Sequence, residues 1–94
     1  MIYDYQGILS VYDDETYTAW TPTITDYENA AIETATNLNP NINIAAGNST
    51  LERYCKEVVF INFYGDGLSA NLFKYHTSKI AEYEEIFRYG GGIN

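Results

Sequence analysis

No lysine or arginine precedes Arg53 in this chain of 94 residues. A lone cysteine, Cys55, excludes an internal disulfide, so the fold must hold without a covalent staple, as suits a reducing compartment. The opening MIYDYQG carries no basic residue and no long apolar run, so no secretory signal is expected. No stretch approaches the roughly 18 apolar residues of a membrane-spanning helix. Cysteine and histidine are too few to build a zinc cluster, and no dinucleotide fingerprint is present. Gly65-Asp66-Gly67 has neither the glycines nor the following lysine of a phosphate loop. No metal and no cofactor is expected.

What is present is acid. Asp4, Asp13, Asp14, Glu15, Asp26, Glu28, Glu33 and Glu52 all precede the first cation. From Arg53 onward, Glu57, Asp66, Glu82, Glu84 and Glu85 are balanced by Arg53, Lys56, Lys74, Lys79 and Arg88. The formal charge of −8 therefore belongs to the N-terminal half. Such a surface is repelled by nucleic acid and by anionic lipid, so direct binding to either is disfavoured. A basic protein surface is its natural complement. Hydrophobic residues make up 46% of the chain, which argues for a folded domain rather than an acidic disordered tail. Ten tyrosines outnumber four phenylalanines and one tryptophan. Tyrosine combines an apolar body with a polar tip and serves both core and contact surface.

The length suits a single domain, 1–94. Tyr3, Tyr5, Gly7, Leu9 and Val11 alternate at period two and predict a strand, with Gly7 as a bulge. Asp13-Asp14-Glu15 reads as an acidic hairpin loop, Thr16 to Thr21 as the return strand, and Pro22 as its end. Thr25-Asp26-Tyr27-Glu28 has the form of a capping box. It opens a helix with a stripe of Tyr27, Ala31, Ala35 and Leu38, stopped by Asn39-Pro40. Asn48-Ser49-Thr50 matches a glycosylation sequon but reads better as turn chemistry and a helix start. Ser49 to Glu52 opens a short helix with Leu51, Tyr54, Cys55 and Val58 inward. Val58 to Tyr64 (VVFINFY), apolar on both faces, predicts a central strand. Asn71 to His76 would pair with it beyond the turn at Gly65-Asp66-Gly67. Ser78 caps a last helix with Ile80, Tyr83, Ile86 and Phe87 inward and Gly90 as its C′ residue, and residues 91–94 read as a loose tail. The order β-β-α-α-β-β-α predicts an α+β fold, an antiparallel sheet of about four strands with helices on one face.

Catalytic chemistry finds little support. His76 can be grouped with Ser69, Ser78, Asp66 or Cys55, but no spacing fixes such a set, and no nucleophile elbow exists. Cys55 beside Arg53 and Lys56 reads as a buried structural thiol. Asp13-Asp14-Glu15 lacks the alternating ligands and the glycine of a calcium loop. The alternating Asn37, Asn39, Asn41 and Asn43 are accounted for by loop formation. The chain is expected not to be an enzyme.

The remaining signal is the acidic surface. On strands, same-face carboxylates recur every ~6.7 Å, against one DNA charge per roughly 3.4 Å along each strand. In size, charge and aromatic content the chain resembles the small acidic inhibitors that phages direct against restriction and CRISPR nucleases, some of which mimic DNA. That resemblance rests on no motif. It implies an inhibitor occupying the basic nucleic-acid-binding surface of another protein, in the cytoplasm, the host's if the source is viral. Asp4, Tyr12, Asp13, Asp14, Glu15, Tyr17, Asp26, Glu28 and Glu33 are the expected contact residues. The alternatives are an assembly component that forms a homodimer through a strand edge or tyrosine patch, and a small-ligand domain with a tyrosine-lined pocket.

Overall fold

A computed structural model of the chain describes residues 1–92. Among them there is no strand. The elements are α1 (Gln6–Leu9), α2 (Asp14–Leu38), α3 (Ser49–Tyr64), a 3-10 turn (Gly65–Gly67) and α4 (Ala70–Arg88). The expected antiparallel sheet and α+β class are therefore overturned: the fold is all-helical.

The helix starts show where the sequence reading erred. α2 begins twelve residues before the Thr25 capping box. Its cap is Asp13, whose carboxylate accepts the Thr16 backbone N–H at 3.0 Å and the Thr16 hydroxyl at 2.6 Å. Those bonds hold the Asp13 carboxyl below its ordinary range, and Asp14 and Glu15 in the first turn complement the helix dipole. The acidic triplet is thus a helix start, not a hairpin loop. Pro22 lies inside α2 rather than at the end of a strand. It has no N–H to give the carbonyl four residues back, a defect that costs about 3 kcal/mol in a helix interior. Burial of Ile24, Glu28, Ala31 and Ala35 along one side of α2 outweighs it.

α3 is one helix where a short helix and a strand were expected. Asn48, not Ser49, caps it, accepting the Leu51 N–H at 3.2 Å. Leu51, Tyr54, Cys55 and Val59 are buried, and Val58, Phe60, Phe63 and Tyr64 are half-buried around them. VVFINFY is apolar on both faces because α3 is the central helix, packed against α1, α2 and α4. A short apolar run cannot be told from a strand by periodicity alone. α4 starts at Ser69, which accepts the Leu72 N–H, nine residues before the expected cap at Ser78. Its first turns are the segment expected as the fourth strand.

The three long helices run antiparallel to their chain neighbours. Trp20 near the start of α2 meets Phe63 near the end of α3, ring centres 5.0 Å apart. Tyr54 of α3 meets Phe87 of α4 edge-on at 5.2 Å. Tyr3, Tyr5 and Leu9 of the N-terminal segment complete the buried cluster. The Tyr64 hydroxyl donates to the Leu9 carbonyl at 2.7 Å and ties α1 to the end of α3.

The C-terminal end of α4 follows its sequence signal. Gly90 takes φ +95°. Its N–H reaches the Phe87 carbonyl at 3.1 Å, and the Gly91 N–H reaches Ile86 at 2.8 Å, the paired bonds of a Schellman turn. Of the segment expected as a loose tail, Gly92 is buried and its carbonyl accepts Asn48 Nδ2 at 2.6 Å. Ile93 and Asn94 lie outside the described residues. Asn48 also donates to the Asn43 carbonyl at 2.8 Å, so one buried amide joins the α2–α3 loop, the start of α3 and the C-terminal end.

Pro22 offers a direct check on the helix. Pro22→Ala restores the missing N–H in α2, and we expect about 1–3 kcal/mol of added stability with increased helical circular dichroism. Were residue 22 the end of a strand, the substitution would be neutral or destabilising in a denaturant melt.

Candidate functional site

Eight of the nine expected contact residues are at least partly exposed; Glu28 is not. Around the start of α2 the acids form a linked group. Asp4 accepts the Gln6 N–H at 3.0 Å, and the Gln6 side chain donates to Asp14 at 2.9 Å. Asp13 caps the same helix end, Glu15 follows in its first turn, and Tyr12 stands 75% exposed beside them. Tyr17 is half-buried. Its hydroxyl accepts the Tyr5 N–H at 3.0 Å, so it supports the N-terminal segment more than it offers contact area. Asp26 and Glu33 are exposed farther along α2, about 18 Å and 28 Å of helix rise from Asp14. At 100° per residue they share the outer face with Glu15.

This geometry removes the strand-based spacing argument. The acids sit on a helix, in one cluster plus two well-separated outliers, and no row at phosphate-like intervals exists among them. What survives is the charge asymmetry. No cation lies on α1 or α2. On α3 and α4, Lys56 pairs with Glu52 at 2.8 Å, Lys79 with Glu82 at 3.4 Å, and Arg88 with Glu85. Glu52, Glu82 and Glu85 are thus offset by a cation on their own helix, which none of the acids of α1–α2 is.

Glu28 has a different task. It is 1% exposed and accepts three hydrogen bonds: the Ile2 N–H at 2.8 Å, the Tyr3 N–H at 3.1 Å and the Tyr5 hydroxyl at 2.6 Å. It is an internal acceptor for the N-terminal segment and is withdrawn from the contact set. A signal for this was present. Ile24, Glu28, Ala31 and Ala35 recur at steps of four, three and four, which places an acid within the buried stripe.

A second feature has no forerunner in the sequence reading. Ile8, Lys56, Glu57, Phe60 and His76 line an open cleft of about 280 Å³ between α1, α3 and α4. His76 Nδ1 lies 2.5 Å from Glu57 Oε2, and the imidazole stacks on Phe60 at 4.4 Å. A carboxylate can only accept, so Nδ1 carries the proton. The partner of His76 is this glutamate rather than Ser69, Ser78, Asp66 or Cys55. A carboxylate-oriented imidazole is one part of a nucleophilic triad, but the cleft lining holds no hydroxyl or thiol. It holds no tyrosine either, and its volume falls below the roughly 300–1,000 Å³ of ordinary ligand pockets. This cleft is therefore not the tyrosine-lined pocket of the small-ligand alternative. Cys55 is fully buried, and burial, reinforced by the nearby Glu28 charge, pushes its thiol up to about 12. Among the described residues no three His, Cys, Asp or Glu side chains converge on a metal site, and no helix is long and apolar enough to cross a membrane.

The chain matches no protein-family model, no curated protein and no solved structure.

Two outcomes follow from the buried groups. Glu28→Gln keeps the shape but places an amide N–H₂ against donors, and we expect a loss of about 2–4 kcal/mol in denaturant melts. Alkali should unfold the protein. Burial pushes Tyr3 up to about 12, and it raises Tyr5 and Tyr54 as well, aided by their bonds to Glu28 and Glu84. Because the folded values lie above the ordinary 9.0 of a thiol and 10.0 of a phenol, the neutral forms contribute stability below those values. That contribution is lost as the pH rises from there toward about 12. Phenolate absorbance from these tyrosines should appear together with loss of the helical signal.

Proposed function

We propose that this chain is a non-enzymatic binding protein whose acidic α1–α2 surface docks on a basic protein surface, of the kind nucleic-acid enzymes present to their substrates. One observation carries the reading. The cations of the chain lie on α3 and α4, three of them already paired, while Asp4, Asp13, Asp14, Glu15, Asp26 and Glu33 face solvent with none nearby in sequence. Uncompensated charge of this kind steers association and raises on-rates. Tyr12, large and exposed within the cluster, supplies contact area of the sort found at interface centres. In this reading the surface attracts by field and not by copying phosphate spacing. Localisation in the cytoplasm belongs to the same proposal.

The reading is tested by titrating the protein into DNA-cleavage assays of restriction and RNA-guided nucleases at stepped ionic strength. Inhibition of at least one enzyme that fades steeply with salt is the expected result. Asp14→Asn, Glu15→Gln and Asp26→Asn together should slow association about tenfold and flatten its salt dependence, since lost rim charges act mainly on the on-rate. Glu85→Gln, whose charge Arg88 already offsets, should change little. Equal effects from the two sets would remove the electrostatic basis of the proposal.

A further inference from the structure

α4 buries only Phe87 fully, and it leaves a long apolar stripe uncovered. Leu72, Tyr75, Ile86 and Tyr89 are 48%, 56%, 44% and 82% exposed. With Lys79 and Glu82 between them, the positions 72, 75, 79, 82, 86 and 89 recur at steps of three and four residues. That is the spacing of a coiled-coil seam, extending over about 26 Å of helix. The seam is distinct from the face α4 gives its own core, where Ile80, Tyr83 and Phe87 pack. The Lys79 ammonium lies 5.6 Å from the Tyr75 ring centre, which confirms that the two share one side of the helix.

We infer that this seam joins two copies of the chain as an antiparallel α4–α4 pair about a two-fold axis between Ile80 and Ala81. The order of residues is self-complementary only in that arrangement. Leu72 then faces Tyr89 of the second copy, Tyr75 faces Ile86, and Lys79 faces Glu82. Two-fold symmetry generates each contact twice. Apolar layers lie at both ends, and the centre holds two opposite-charge pairs between chains. A parallel pairing would set lysine against lysine and glutamate against glutamate. Self-complementarity in all three layers is what selects a second copy over a foreign helix as the occupant. The seam uses no residue of the acidic α1–α2 surface, so the inference is independent of the proposed function.

Sedimentation measurements on the intact chain at about 10 μM to 1 mM and near-physiological salt should show a reversible dimer. Lys79→Glu and Glu82→Lys should each raise the dissociation constant at least about tenfold, because each sets two like-charge pairs against one another. Mixing these two variants should restore association as a one-to-one heterodimer. In the mixture both contacts are again glutamate against lysine. Ile86→Glu should abolish the dimer with the helical spectrum retained. A wild type that stays monomeric across the range overturns the inference. So does a dimer indifferent to Ile86→Glu, or a mixture of the two charge variants that fails to associate.

Discussion

The buried carboxylate of Glu28 is the constraint on which the N-terminal third depends. Residues 1–5 form no regular element, yet Tyr3 and Tyr5 are core residues. An irregular buried segment must satisfy its backbone polar groups somewhere. Glu28 does this from the middle of α2, taking the backbone N–H of Ile2 and Tyr3 and the hydroxyl of Tyr5. A charge without these bonds could not remain at that depth, and the segment without this acceptor could not lie against α2. The two requirements cancel. With the segment in place, Tyr3 reaches the Ala45 carbonyl at 2.7 Å, and Tyr17 accepts from the Tyr5 N–H. α1 then closes over α3 through Tyr64.

Asn48 plays the matching part at the other end. It caps α3, holds the α2–α3 loop at Asn43 and receives the chain as it leaves α4 at Gly92. In the folded chain the Asn48 amide is buried and committed, so the residue acts here as a helix cap and a tether. Glu28 thus holds Ile2, Tyr3 and Tyr5, and Asn48 holds Gly92. The exposed acids of α1–α2 are left with few internal roles: Asp13 caps α2, Asp4 accepts the Gln6 N–H and Asp14 accepts the Gln6 side chain. This separation allows the surface charge to act outward.

The candidate site was partly legible for the same reason. Charge asymmetry is a property of composition and survives any fold, so the acids of α1–α2 other than Glu28 stayed on the surface under a topology that was not foreseen. Glu28 was misplaced because its three donors come from residues 2, 3 and 5, more than twenty positions away. The Glu57–His76 pair was missed because it needs α3 and α4 side by side. Read from the sequence, Glu57 belongs to a short helix and His76 ends a strand, and neither is assigned the other as a partner.

By itself the sequence determined the charge layout, the burial of Cys55, the C′ glycine at position 90, the helix start near residues 48–49 and three of the four residues of the inward α4 stripe, Ile80, Tyr83 and Phe87; the fourth, Ile86, is 44% exposed. All of these rest on local chemistry: a cap bond, a left-handed glycine, a thiol among apolar neighbours, or steps of three and four residues. Only the tertiary structure decided that residues 14–24, 58–64 and 70–77 are helical. In each, β-branched and aromatic residues sit on more than one side, and strand and helix templates fit them about equally. For α3 the tie is broken by neighbours on several flanks, which let a helix bury apolar residues all round. For α2 it is broken by Asp13 at one end and the Ile24–Ala35 stripe beyond, whose burial carries the helix through Pro22.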